Sequence, residues 1–127
     1  MTIQSTGDTS QRVFHASEFV TTDSKTVSMV YRGADLSALV EWVEPGGDIA
    51  ETPHKHPRTA HTFVVLEGEG EALVGKGQWQ KVRAGDFIVN PRDKVHAMRN
   101  TSPDQRLMWV CTDVGPHEVV ETTEDDD

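Results

Sequence analysis

Long apolar runs, a second cysteine and an excess of basic residues are all missing from this sequence of 127 residues. No apolar run approaches the roughly 20 residues that cross a bilayer as a helix, so no membrane partner is expected. The single cysteine, Cys111, excludes an internal disulfide. Twelve basic against 21 acidic residues give a formal net charge of −9, which argues against nucleic acid as a partner.

The N-terminal stretch MTIQSTGDTSQR has no basic flank followed by an apolar segment, so no signal peptide is predicted. Together with the lone cysteine, this pattern predicts a cytoplasmic location. Residues 1–11 are predicted to be a flexible lead and residues 12–115 one folded domain. Residues 116–127 are predicted to be an acidic tail that stays disordered through charge repulsion.

A helical period is also missing, because no stretch of eleven or more residues keeps one without a breaker. Short apolar runs rich in Val, Phe, Trp and Thr alternate instead with turn sequences rich in Gly, Pro and Asp. These runs are predicted to be strands: RVFHASEFV, TVSMVY, LSALVEWV, HTFVVLEG, EALVG, QWQKV, DFIVN, VHAMRN and RLMWVC. Short strands at this spacing predict an all-β sandwich or barrel.

Histidines are concentrated in the segment HKHPRTAHTF, which holds three of the six in the chain. Because strand residues two apart share a face, His54 and His56 can aim both imidazoles at one point. His61 lies an odd number of positions further on, and a bend at the intervening proline is needed to turn it inward. An H-x-H pair alone is a weak metal signal. His61 and His96 strengthen it, because each lies in an apolar strand.

Two motifs in the chain resemble those of the cupin superfamily. The first cupin motif is glycine, a spacer, H-x-H, a short spacer, glutamate, six residues and glycine. Here the corresponding residues are Gly47, His54, His56, His61 and Gly68. The second is glycine, five residues, proline, x, glycine, two residues, histidine, three residues and asparagine. Here, with every spacing kept, the corresponding residues are Gly85, Pro91, Asp93, His96 and Asn100.

The resemblance covers roughly residues 36 to 111 and implies a cupin-type double-stranded β-helix, a jelly-roll barrel. Cupins commonly pair through an outer sheet, so it also implies a homodimer. The early runs RVFHASEFV and TVSMVY are expected to supply the edge that the partner covers.

The site implied by the resemblance holds one divalent transition-metal ion: Fe, Mn, Ni, Cu or Zn. Its expected ligands are His54, His56, His61 and His96. Because His61 occupies the motif's glutamate position, the pattern is that of a four-histidine variant. The alternative is that His61 lies off the metal and leaves three ligands. Asp93 replaces a motif glycine, and aspartate tolerates the left-handed backbone that glycine serves there.

Strand parity and strand membership predict the residues of a substrate pocket. They are Phe63 and Val65, which follow His61, Met98 and Asn100, which follow His96, and Trp42 from another strand. The alternative for the apolar members is that they are only barrel core. No catalytic residue is identified, and no inward-facing Glu or Lys is expected near the ligands.

These observations favour an enzyme that acts on a small-molecule substrate. Four neutral imidazoles leave a divalent ion its full charge, and two open positions remain in six-coordinate geometry. A dioxygenase-type oxidoreductase is therefore expected, acting on a diketone, hydroxyketone or enolate-like substrate that chelates through two oxygens. The alternatives are isomerase or lyase chemistry with the ion as Lewis acid, and a non-catalytic ligand-binding cupin.

Overall fold

The computed structural model describes residues 27–116 and 118–127, together with Gln11, Val13 and His15. The predicted flexible lead over residues 1–11 and the predicted strand RVFHASEFV lie outside the described residues, apart from those three positions. Within the described part of the chain, no helix is long and apolar enough to span a membrane.

Short strands account for the regular structure of the described residues. They are β1 (Val27–Arg32), β2 (Ser37–Val43), β3 (Ile49–Ala50), β4 (His54–Lys55), β5 (Ala60–Glu67), β6 (Glu69–Val74), β7 (Trp79–Arg83), β8 (Phe87–Asn90), β9 (His96–Asn100), β10 (Leu107–Val114) and β11 (Val120–Glu121).

The strands form two antiparallel sheets. One has five strands in the order β1-β2-β10-β5-β8, and the other runs β11-β4-β9-β6-β7 with β3 paired to β9. Neighbours in these sheets are often distant in sequence, as when β10 lies between β2 and β5. The all-β prediction is confirmed.

The core lies between the inner faces of the two sheets. Burial alternates along β5, where His61, Phe63 and Val65 are buried and the residues between them are only partly so. The main apolar cluster is Leu39, Val43, Phe63, Val65, Ala72, Val82, Ile88, Met98, Leu107, Trp109 and Cys111. Trp109 is completely buried at its centre.

Polar residues that carry the predicted site lie near the first residues of β4, β5 and β9. In the six-stranded sheet, His54 of β4 pairs with His96 of β9. The turn before β9 contains Asp93, whose φ of 62° is left-handed. This backbone angle confirms that aspartate there does what the motif's glycine would do.

The C-terminal residues are ordered against the sheet, so the prediction of a disordered tail is wrong for this segment. Strand β11 pairs antiparallel with β4, and the Thr122 amide donates to the Pro53 carbonyl at 2.9 Å. Charge repulsion was the basis of that prediction. It is outweighed here because the backbone of β11 supplies hydrogen-bonding partners to the short strand β4.

Candidate metal centre

Four imidazole rings meet at this end of the barrel. The centroid of the His96 ring lies 4.3 Å from that of His54, 5.1 Å from that of His56 and 4.4 Å from that of His61. The His56 ring is 4.8 Å from the His61 ring. His56, His61 and His96 are each at most 5% exposed, and His54 is partly exposed. The structure therefore brings together all four residues that the sequence analysis selected as ligands.

The ring nitrogens divide into two neighbouring groups. Nitrogens of His54, His56 and His96 lie within 4.8 Å of one another. A nitrogen of His61 lies within the same distance of the Cys111 sulfur and an Asp113 carboxylate oxygen. His54, His56 and His96 thus form one group, and His61 lies between that group and the side of the site formed by Cys111 and Asp113.

Hydrogen bonds at Nδ1 fix the orientation of three of the rings. Each Nδ1 faces a backbone carbonyl oxygen: His54 with Thr52 at 2.8 Å, His56 with Glu118 at 2.5 Å, and His96 with Lys94 at 3.1 Å. Since a carbonyl oxygen only accepts, each Nδ1 carries the hydrogen and each Nε2 keeps its lone pair. Metal-ligating histidines are held in this way, with one nitrogen anchored and the other offered to the ion.

The donor set fits a transition-metal ion. His96 Nε2 is buried and has no hydrogen-bond partner among the described residues. Leaving such an atom unsatisfied costs about 1–3 kcal/mol, and a ligand at this nitrogen removes that cost. Burial lowers the pKa of His96 well below its ordinary value, and the neighbouring His54 and His61 lower it further. The imidazole is therefore neutral, which is the form that binds metals.

His61 is flanked by a buried thiol and a buried carboxylate. Its Nδ1 lies 3.4 Å from Cys111 Sγ and 3.7 Å from Asp113 Oδ1. The thiol donates to Asp113 Oδ1 at 2.8 Å. Burial raises the pKa of Cys111, and the nearby Glu41 and Asp113 raise it further. Cys111 therefore stays a thiol at neutral pH and is not activated as a nucleophile.

A cavity of about 130 Å³ adjoins the four histidines. Its wall consists of the four histidines and six further residues: Glu41, Glu51, Phe63, Cys111, Asp113 and Val119. Phe63 is the one predicted pocket residue found in this wall among the described residues. The centroid of its ring lies 5.0 Å from that of His61.

Two glutamates in this wall, Glu41 and Glu51, correct the expectation that no glutamate faces the ligands. Glu41 accepts a hydrogen bond from Trp109 Nε1 at 3.3 Å, and burial, followed by Glu51 and Asp113, raises its pKa well above the ordinary value. Glu51 accepts a hydrogen bond from the Met98 amide at 2.9 Å, and burial raises its pKa as well. Both groups are poised to hold a proton beside the cavity.

Side-chain alternation along β2 predicts that Glu41 faces the barrel interior, because the residues two positions before and after it, Leu39 and Val43, belong to the core. No such signal exists for Glu51, because it lies in the irregular segment between β3 and β4.

The other predicted pocket residues lie away from the cavity. Val65 and Met98 share a face with their histidines as expected, but they pack in the main apolar cluster. Asn100 is fully buried, and its side chain makes hydrogen bonds that stabilise the turn after β9. Its Nδ2 donates to the Val43 and Gln105 carbonyls, and its Oδ1 accepts from the Ser102 amide. The structure corrects the pocket prediction for these three residues, because parity fixes the face but not the depth along the barrel.

Trp42 is also not part of the cavity wall. It packs with Val40 and Met108 in a separate cluster, whereas its neighbours Glu41 and Val43 face the barrel interior. Strand β2 is apolar on both faces, so hydrophobic alternation does not predict which face Trp42 occupies.

The same architecture is found in known proteins. A family model described as a cupin domain matches residues 39–113, which is more than half of the chain. The chain belongs to the cupin family. The cupin-type double-stranded β-helix predicted from the two motifs is thereby confirmed.

One curated relative of this cupin is an uncharacterized protein from Aquifex aeolicus (strain VF5), with 42% identity over 53 residues. The match covers 42% of this chain and 43% of the relative, so it spans less than half of that protein's length.

Several solved structures resemble this cupin. An uncharacterized protein with a double-stranded β-helix domain from Klebsiella pneumoniae subsp. pneumoniae has a TM-score of 0.71 at 24% identity, covering 89% of this chain and all of that one. The polyketide cyclase RemF from Streptomyces resistomycificus has a TM-score of 0.66 at 20% identity, covering 91% and 89%. These two likenesses show the fold alone. A recombinant oxalate oxidase has a TM-score of 0.59 at 26% identity, covering 71% of this chain and 47% of that one.

Proposed function

We propose that this cupin is a metal-dependent enzyme for a small substrate that chelates the ion through two oxygen atoms. The observation that carries the proposal is the cluster of four imidazoles, three of them held at Nδ1 by carbonyl oxygens. His54, His56 and His96 would hold the ion, with His61 as the fourth ligand. The imidazole set suits Fe, Mn, Ni, Cu and Zn alike.

When bound, the divalent ion would supply positive charge for an anionic oxygen ligand and, if redox-active, a means of activating dioxygen. The cavity of about 130 Å³ beside the four histidines provides the space for that ligand. Phe63 makes part of the wall apolar and excludes water beside His61. A diketone, hydroxyketone or enolate-like acid can offer two oxygen atoms to the ion, and its enolate carries the negative charge that the ion attracts.

The first candidate reaction is dioxygenation. It needs room for the chelating substrate and for dioxygen, and it needs no proton-transferring side chain. The four neutral imidazoles favour it, because no ligand carboxylate reduces the charge that attracts an enolate.

The second candidate is isomerase or lyase chemistry, which a specific observation favours. Glu41 and Glu51 lie in the cavity wall with raised pKa values, and proton transfer at carbon needs such a group. In this reaction Glu41 would act from its ionised form, which the raised pKa makes a stronger base. It would take a proton from the substrate carbon and return it at a neighbouring atom or to the leaving group.

Substrate turnover with and without oxygen separates the two candidates. Metal-loaded protein is mixed with a panel of small diketones, hydroxyketones and catechols, first in an oxygen electrode and then anaerobically. Dioxygenation predicts oxygen uptake equal to substrate loss and no anaerobic turnover.

Proton-transfer chemistry predicts equal turnover in both atmospheres and a loss of about 10²–10⁴-fold in Glu41→Gln. Glu44→Gln, at an exposed position just after β2, is the matched control. Absence of turnover across the panel, with metal and ligands bound, would contradict an enzymatic function and leave a ligand-binding cupin.

A further inference from the structure

The C-terminal strap, defined here as residues 118–122, crosses the segment that holds His54 and His56. Val120 and Glu121 pair with Lys55 and His54 in antiparallel register. The next amide, that of Thr122, donates to the Pro53 carbonyl at 2.9 Å. Backbone pairing therefore fixes the strap directly over the H-x-H segment.

Side chains also fasten the strap. Arg58 Nε donates to Glu118 Oε1 at 2.6 Å, and the Thr59 hydroxyl donates to the Pro116 carbonyl just before the strap. Arg58 is largely exposed, so its ion pair with Glu118 contributes little. The buried Thr59 hydroxyl and the backbone pairs are the stronger attachments.

The strap contributes two groups to the site. The Glu118 carbonyl accepts the hydrogen bond from His56 Nδ1 at 2.5 Å, and this bond sets the orientation of that ring. The Val119 side chain is half-buried and lies in the cavity wall. Val119 and Phe63 are the two purely hydrocarbon side chains of that wall within the described residues. The remaining wall residues are histidine, acid or cysteine.

We propose that Val119 determines the size limit of the ligand and that the strap, through the Glu118 carbonyl, positions His56 for the ion. The inference rests on the proposed function, since the ligand whose size is limited is the one that chelates the ion. It gives the acidic C-terminal region a role in the site in addition to any effect on solubility. The strap belongs to no motif, so its place in the wall is known only from the fold.

Ligand size is tested with the full chain loaded with Co²⁺ and two hydroxamates. Acetohydroxamate and benzohydroxamate chelate through the same two oxygens and differ only in the group beyond them. Visible absorption of the bound cobalt reports each titration. The wild type is expected to prefer acetohydroxamate. Val119→Ala is expected to shift the ratio of the two dissociation constants toward benzohydroxamate by roughly tenfold or more, because it removes two methyl groups from an apolar wall.

Val120→Ala is the matched control, since Val120 is the next residue of the strap and is 42% exposed. The ratio of its dissociation constants for the two hydroxamates is expected to equal that of the wild type. If Val119→Ala leaves the ratio at the wild-type value while both proteins bind cobalt and acetohydroxamate, the inference is overturned and the proposed function stands. If the wild type binds no cobalt or neither hydroxamate, the proposed function fails first.

Positioning of His56 is tested with two shortened chains. A chain ending at Pro116 lacks the strap, and a chain ending at Thr122 keeps it. Nitrogen NMR of the metal-free proteins is expected to show His56 Nδ1–H protected from solvent exchange in the full and longer chains, and exposed in the shorter one.

The cobalt affinity of the shorter chain is expected to fall by about 10–100-fold, as when an outer hydrogen-bond partner of a ligand is lost. Equal His56 signals and equal affinities in all three chains would contradict the positioning role. If the shorter chain does not fold, the hydroxamate ratios of Val119→Ala decide the inference.

Discussion

Replacing His96 by alanine removes the ring at the centre of the four-histidine cluster. His96 is 2% exposed, and its ring centroid lies within 5.1 Å of those of the other three histidines. Without metal, the change has two opposing effects. It leaves a hole, which costs about 2–5 kcal/mol for a large-to-small change. It also removes the unsatisfied Nε2, which returns about 1–3 kcal/mol. Each protein therefore needs its own metal-free melting temperature as a baseline.

Added metal produces the decisive difference. At a free Co²⁺ concentration about 100 times the wild-type dissociation constant, binding stabilises the wild type by about 2.7 kcal/mol. In a chain of this size about 1 kcal/mol raises the melting temperature by roughly 3–5 °C, so the expected rise is about 8–13 °C. Loss of one ligand is expected to weaken binding by about 100-fold or more, since loss of a mere outer partner costs up to about that much.

At the same cobalt concentration, the free energy of unfolding of His96→Ala is then expected to increase by at most about 0.4 kcal/mol, which raises its melting temperature by about 1–2 °C. The assay is a thermal melt followed by circular dichroism, with EDTA and then with cobalt. His15→Ala, at an exposed position that is not among the residues of the cavity wall, is the control and should keep the wild-type rise. A rise in His96→Ala equal to that of the wild type would refute the assignment of His96 as a ligand.

Three further predictions follow from burial, charge and the family resemblance. Trp109→Ala is expected to lower the free energy of unfolding by about 3–5 kcal/mol in urea titrations, because the side chain is completely buried. The control is Phe87→Ala, at a residue that is 62% exposed, and it is expected to change the free energy of unfolding by at most about 0.5 kcal/mol. Equal effects of the two substitutions would contradict the assigned core. The pKa of Glu41 is raised above its ordinary 4.5, so the folded state holds a proton that the unfolded state releases. Glu41 should therefore contribute stability to the metal-free protein that is lost as pH rises above about 4.5. Glu41→Gln should remove this contribution, so the difference in the free energy of unfolding between the wild type and the variant should change with pH in urea titrations. A difference that stays constant with pH would argue against a neutral acid at this position. Light scattering at micromolar concentration should give twice the 14.1 kDa chain mass, as a homodimer requires, and a monomeric mass would contradict the predicted dimer.

Local parity and motif spacing were sufficient to predict much of the site. His54 and His56 are two positions apart on an extended segment, so their shared direction follows from strand geometry. The bend after them brings His61 inward, and the spacing of the second motif identifies His96. Asp93 adopts the left-handed angle that its position in the turn requires. Each of these features depends on a few neighbouring residues, so it can be predicted from a short stretch of the sequence.

Features that depend on contacts between distant segments were not predictable in this way. Val119 reaches the cavity only because β11 pairs with β4, which lies more than 60 positions earlier in the chain. Glu51 lies outside regular strands, so parity says nothing of its direction. Trp42 lies on a strand with apolar residues on both faces, and only the packing of Met108 against it identifies the outer one. Charge content alone predicts a disordered C-terminal segment and does not reveal the backbone pairing of the strap with β4.

The most direct test of the account is a crystal structure of metal-loaded protein with an anomalous map at the ion's absorption edge. The account predicts one peak at the centre of the cluster, with a nitrogen of His54, His56, His61 and His96 each about 2.0–2.2 Å from it. A map without a peak there, or with a peak bound by His54, His56 and His96 and no nitrogen of His61 within about 3 Å of it, would contradict a four-histidine centre.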